Sequence, residues 1–175
     1  TIDYITIASE GDATDFGDTS IPRGNVTHGI NSPTRGVFAG GYSESAGNKN
    51  TIDYVTIGST GNTTDFGDLV GAAYSLGGAS SSTRGLAFGP ISGATVNVTI
   101  QYITIASTGN TTDFGDLTVA SHRGSGVSSN TRAVIAIGKL DSPSNVLDFV
   151  TIASTGNASD FGDSTQARGA SSAGS

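Results

Sequence analysis

One short motif occurs four times with two carboxylates in it. Asp15-Phe16-Gly17-Asp18 returns as Asp65-Phe66-Gly67-Asp68, Asp113-Phe114-Gly115-Asp116 and Asp160-Phe161-Gly162-Asp163. A turn such as Ser59-Thr60-Gly61-Asn62 precedes each copy. Paired carboxylates at this spacing could hold a hard cation, share a proton in acid–base catalysis, or punctuate a repeated structural unit. Calcium takes oxygen ligands of the kind that Asp, Asn, Thr and backbone carbonyls offer; its candidates are Asp15, Asp65, Asp113 and Asp160. No EF-hand spacing or calcium-binding nonapeptide repeat accompanies them, and a catalytic pair is needed once. The structural reading is therefore preferred, with no cofactor and no enzymatic activity. On a strand, alternation sets Phe66 and Asp68 on one face and Asp65 and Leu69 on the other. Asp65 is then expected to cap the preceding turn. Asp68 is expected to pair with an arginine. Phe16, Phe66, Phe114 and Phe161, with Asp18, Asp68, Asp116 and Asp163, become positions of a structural repeat.

The arginines repeat too. Arg35, Arg84 and Arg132 each sit in a Thr-Arg-Gly or Thr-Arg-Ala segment. Ion pairing between units is the expected role, with an anion- or sugar-binding ring as the alternative. His28 and His122 do not occupy equivalent positions relative to Phe16 and Phe114. That argues against a zinc site and against a Ser–His–Asp triad. Asn25, Asn62, Asn97, Asn110 and Asn157 match the glycosylation acceptor pattern, which is cheap in a chain so rich in Asn and Thr.

These residues are positioned by a repeat. Tyr4, Tyr54, Tyr102 and Phe149 fall 50, 48 and 47 residues apart, and the four motif phenylalanines keep the same intervals. At about 48 residues per unit, the 175 residues hold about 3.6 units. They form a single repeat domain over 1–175, divided near 1–22 (partial), 23–71, 72–119, 120–167 and 168–175 (partial). Within a unit, Thr51 to Ile57 is rich in β-branched and aromatic residues and reads as a strand. Gly61-Asn62 suits a type II′ hairpin turn. That turn would pair Ile57 with Phe66 and Tyr54 with Leu69, and likewise Ile7 with Phe16, Ile105 with Phe114 and Ile152 with Phe161. Apolar strands beginning at Arg35, Arg84 and Arg132 are each preceded by a segment of small residues. The remnant 168–175 is expected to supply one more such segment. The sum is an all-β chain of four-stranded antiparallel blades, a β-propeller or a segment of a larger ring. A β-solenoid is the alternative, disfavoured by the hairpin.

Composition bounds the function. Leu, Ile, Val and Phe total 38 residues, just above the level at which disorder becomes the default. The net charge of −7 makes nucleic acid and anionic membranes poor partners. There is no cysteine, so no disulfide framework, and no apolar run long enough for a membrane helix.

The small strand, the Gly40-Gly41 pair closing the next, and then Tyr54 and Phe66 resemble the kelch repeat. Phe replaces the usual Trp, and Gly89-Pro90 and Gly138-Lys139 replace the Gly pair in later copies, so the likeness is to a divergent, kelch-like propeller. The wording from Tyr102 to Ala120, YITIASTGNTTDFGDLTVA, is similar to a repeat in virion and tail proteins of marine, particularly cyanobacterial, bacteriophages. This resemblance implies a structural protein of a tail, fibre or decoration, virion-borne or extracellular. It would act in assembly or host attachment with other protein chains, as a homo-oligomer or within the virion. A carbohydrate-binding adhesin that meets a host-surface glycan is the alternative, with Tyr42, Tyr74 and Phe88 as the aromatics outside the repeat frame. Neither nucleic acid nor membrane insertion is expected.

Overall fold

β-branched and aromatic residues mark the long strands, and the small-residue segments 77–80 and 125–128 form short strands that lie close to one another in neighbouring units. A computed structural model describes residues 1–27, 29–92, 95–138 and 142–170, with no helix among them. An N-terminal hairpin joins β1 (Ile2–Tyr4) to β2 (Thr14–Gly17). Sheet I follows: β3 (Ile30–Asn31), β4 (Arg35–Ala39), β5 (Tyr42–Ser43), β6 (Gly47–Thr56) and β7 (Thr64–Ala73). Sheet II repeats it with β8 (Gly77–Ser80), β9 (Arg84–Phe88), β10 (Ile91–Ser92), β11 (Thr95–Thr104) and β12 (Thr112–Ser121). Sheet III comprises β13 (Ser125–Ser128), β14 (Arg132–Ala136), β15 (Ser144–Thr151) and β16 (Ser159–Arg168).

Each full sheet is an antiparallel four-strand meander: β3-β4-β6-β7, β8-β9-β11-β12 and β13-β14-β15-β16. The short strands β5 and β10 pair with the first part of β6 and β11. The N-terminal hairpin matches the outer two strands of a sheet. The expected inner strand at 168–175 lies, from residue 171 onward, outside the described residues.

A tight turn opens every sheet. Ser32, Ser81 and Ser129 each use the hydroxyl to accept the N–H of the residue three positions on (Arg35, Arg84, Arg132) at 3.1–3.2 Å. Their own N–H groups donate to the carbonyls of those arginines. A second recurring feature lies after the outer strands. Asn25, Ser75 and Arg123 have φ of 53, 57 and 58°, a conformation uncommon without glycine. They form a ladder: Ser75 N–H donates to the Asn25 carbonyl and Arg123 N–H to that of Ser75, both at 3.0 Å.

The expected hairpin register is not the observed one. Tyr54 stands opposite Thr64 rather than Leu69. Tyr4, Tyr102 and Phe149 face Thr14, Thr112 and Ser159. The pairs Ile7–Phe16, Ile57–Phe66, Ile105–Phe114 and Ile152–Phe161 are therefore replaced. The connector is not a two-residue turn: residues 57–63, 105–111 and 152–158 lie between the strands. Its N–H groups are used elsewhere, as described below. Alternation fails at the motif for a local reason. Asp53 faces Asp65 and Ile52 faces Gly67, so Phe66 is the extra residue of a β-bulge. The bulge brings Phe66 and Leu69 onto the same buried face, against the expected split.

The core lies between sheets. Ile103 and Ile105 of the third unit pack with Val37, Ile52 and Phe66 of the second. Val150 and Ile152 pack in turn with Leu86, Ile100 and Phe114. The exposed surface of 8772 Å² exceeds the roughly 7,800 Å² of a compact monomer of this mass. The excess fits a row of sheets whose end faces are open.

Candidate functional site

The aspartate motif acts through its backbone. In the joint between sheets I and II, Gly109 N–H donates to the Phe66 carbonyl at 2.7 Å and Thr111 N–H to the Asp68 carbonyl at 2.8 Å. Asp68 N–H is answered by Asn110 Oδ1 at 3.0 Å. The same clasp joins Gly61, Asn62 and Thr63 to Phe16 and Asp18, and Gly156, Asn157 and Ala158 to Phe114 and Asp116. These are the hydrogen bonds for which the connector gave up a short hairpin.

The close approach explains the motif's glycine. Gly67 has φ of 144°, and a Cβ there would stand 2.4 Å from the Gly109 carbonyl oxygen. Gly17 and Gly115 meet Gly61 and Gly156 at the same distance. Any side chain at these positions would separate the two units.

A polar plug lies beside each clasp. Gln101 Oε1 accepts Val70 N–H at 2.9 Å and the Thr111 hydroxyl at 2.6 Å. Asp148 accepts both the N–H and the hydroxyl of Thr118. At the corresponding place Asp53 accepts the Ser20 hydroxyl at 2.7 Å and forms an ion pair with Arg23 at 2.8 Å. Both side chains of that pair are fully buried. Removing one partner would leave a bare charge in the joint.

The repeat arginines lie between units, but they do not pair with Asp68. Arg35 stacks on Tyr54 of its own sheet, 4.3 Å from the ring centroid, and donates to the Ile105 carbonyl of the next unit at 2.7 Å. Arg84 does the same with Tyr102 and Ile152. Arg132 lies over Phe149 at 4.7 Å and is exposed. A flat guanidinium suits this double duty, with its face on the ring and its edge on a carbonyl. The expected Asp–Arg ion pair is thus replaced by cation–π stacking and a carbonyl bond. Each aromatic also meets its motif phenylalanine edge-on, Tyr54 with Phe66 at 5.9 Å, for example.

The first aspartates of the motif stand outside this work. Asp15, Asp65, Asp113 and Asp160 are exposed. The turn N–H groups that Asp65 was expected to cap donate instead across the joint, Gly61 to the Phe16 carbonyl and Thr63 to the Asp18 carbonyl. Asp160 Oδ1 accepts the Gly162 N–H at 3.1 Å, and Asp18 pairs with the N-terminal ammonium at 3.2 Å. Among the described residues no three His, Cys, Asp or Glu side chains gather where they could hold one ion. His28 lies outside the described residues, and His122 is buried. Phe88 is buried too, which removes it from the candidate sugar-stacking aromatics.

No protein-family model matches the chain, and no curated protein matches it. What the geometry supplies is a joint used three times over, plus the residues that sequence reasoning passed by. Asn62, Asn110 and Asn157 do the clasping that was assigned to aspartates, and Arg23–Asp53 forms the one ion pair among the described residues that is fully buried. The signal for the asparagines was present in the Gly-Asn that recurs in three of the four turns. Arg23 was passed by because the two central units carry Ala73 and Ser121 at its place, and only Arg168 in the last unit repeats it.

Proposed function

We propose that the chain is a non-enzymatic structural and interaction protein of a virion, its units acting as kelch-like propeller blades in assembly or host attachment. The observation that carries this reading is the clasp. The repeated motif is consumed in holding unit to unit, and among the described residues no unit adds a cluster of three His, Cys, Asp or Glu side chains to it. The four-strand antiparallel meanders and the neighbouring small-residue strands support a propeller over a solenoid. Asn31 N–H meets the Ser80 hydroxyl at 3.2 Å, and Ser80 N–H meets that of Ser128 at 3.2 Å, so the inner strands run side by side. Segments that differ between units, such as 42–50, are then free to carry recognition on a constant frame. Mass spectrometry and antibody labelling of purified phage particles test the proposal. The chain should be present in stoichiometric amount. Its absence from washed particles would overturn the virion assignment.

One observation favours the adhesin reading. Tyr42 is 42 % exposed and lies 5.8 Å from Tyr74 between ring centroids, an aromatic pair on which a sugar ring could stack. A glycan array separates the readings. Binding that is lost in Tyr42→Ala would move the function to host glycan recognition.

A further inference from the structure

The two ends of the row are unequal, and each lacks what the other presents. Ile7, Ile57, Ile105 and Ile152 are equivalent positions. Their exposures are 95 %, 47 %, 1 % and 1 %, so burial follows how much of a preceding unit is there to receive them. Ile5, at 63 %, belongs to the same uncovered edge. At the other end Phe161 is 51 % exposed, against 9 % or less for Phe16, Phe66 and Phe114. Val134 and Leu147 beside it are half-buried, where the matching Val37, Leu86, Ile52 and Ile100 are buried. Among the described residues nothing lies within 4 Å of a Cβ placed at Gly162, where Gly17, Gly67 and Gly115 each meet the next unit's backbone at 2.4 Å.

We propose that these faces dock on one another between two copies of this chain, head to tail, by the joint already used three times inside it. The N-terminal hairpin of one copy takes the place of the next unit on sheet III of another. Gly11 N–H donates to the Phe161 carbonyl. The Asp12 carboxylate, standing where the internal loops carry asparagine, accepts the Asp163 N–H. Arg132 donates to the Ile7 carbonyl, as Arg35 and Arg84 do to Ile105 and Ile152. Ile5 and Ile7 cover Val134, Leu147 and Phe161. The occupant is a second copy rather than the chain's own hairpin, because Ile7 and Phe161 are exposed together in one protomer. An interface between different faces closes into a ring or grows as a filament, according to its rotation.

The inference rests on the interaction-protein reading above, yet it fails separately. Loss of self-association would not alter the particle analysis or the glycan array. Sedimentation velocity and light scattering of the 175-residue chain provide the test. Masses should rise with concentration in multiples of 17.4 kDa. Ile7→Asp and Phe161→Asp change opposite ends at exposed positions, so each should be folded by circular dichroism and monomeric. Mixed, they should form a one-to-one dimer, since the mixture retains one intact head and one intact tail. Arg132→Ala should weaken association at least tenfold, and Asp12→Asn should leave it as tight or tighter. A wild-type chain that stays monomeric at every concentration would overturn the proposal. So would folded variants that still self-associate, or a mixture that fails to dimerise.

Discussion

The outer strand β7 and the outer strand β16 carry almost the same words, yet they sit in different chemistry. Around β7, Phe66 is sealed, Gly67 touches the next unit's backbone and Asp68 is held by Asn110. Around β16, Phe161 is half exposed and Gly162 faces open space among the described residues. The difference shows that the motif encodes a joint rather than a site within one unit. Its value is set by what docks on it, as expected when repeat stability divides into unit and interface terms.

Paired substitutions sharpen the contrast. Phe66→Ala should cost about 4 kcal/mol, the range of a buried aromatic, whereas Phe161→Ala should cost about 1 kcal/mol, because half its surface already meets water. Denaturant melts of the two proteins side by side check this, and equal losses would break the comparison. Gly67→Ala comes next, at about 3 kcal/mol from backbone strain plus a direct clash. Gly162→Ala should suffer the strain alone, about 1 kcal/mol. Asn110→Ala removes one cross-unit hydrogen bond and should lower stability by about 1 kcal/mol, while Asp12→Ala should leave the protomer's melting unchanged. The smallest effect belongs to the exposed aspartates. Asp65→Ala with Asp113→Ala should shift stability by less than about 0.5 kcal/mol, and EDTA should not move the melting temperature. A calcium-dependent melting temperature, lost in that double variant, would return those carboxylates to the role of metal ligands.

Much of the architecture was legible because it is periodic. The intervals between Tyr4, Tyr54, Tyr102 and Phe149 marked the units, and strand propensity with small-residue segments marked the four strands of each sheet. The register was not legible. A Gly-Asn dipeptide reads as a tight turn when only its own hairpin is considered. Here its N–H and side-chain oxygen are drawn to the preceding unit, and tertiary hydrogen bonds set the loop length. The bulge at Phe66 was hidden for a related reason, since alternation assumes an uninterrupted ladder. The arginines show a third limit. Repetition gave their place between units but not their partners, because a guanidinium can satisfy an aromatic face and a carbonyl as readily as a carboxylate. The Arg23–Asp53 pair forms in one joint only, because the two central units carry Ala73 and Ser121 at Arg23's place and only Arg168 repeats it.

The clasp has a consequence for how such a chain can change over generations. Five of its six hydrogen-bonding groups are main-chain atoms, and the sixth is an asparagine oxygen that three of the four turns supply. A unit copied or deleted by recombination near these repeats would meet the same handholds on either side, with no compensating substitution needed. Length would then be a variable this chain could alter in a single genetic step, while segments such as 42–50 diversify independently of the framework that displays them.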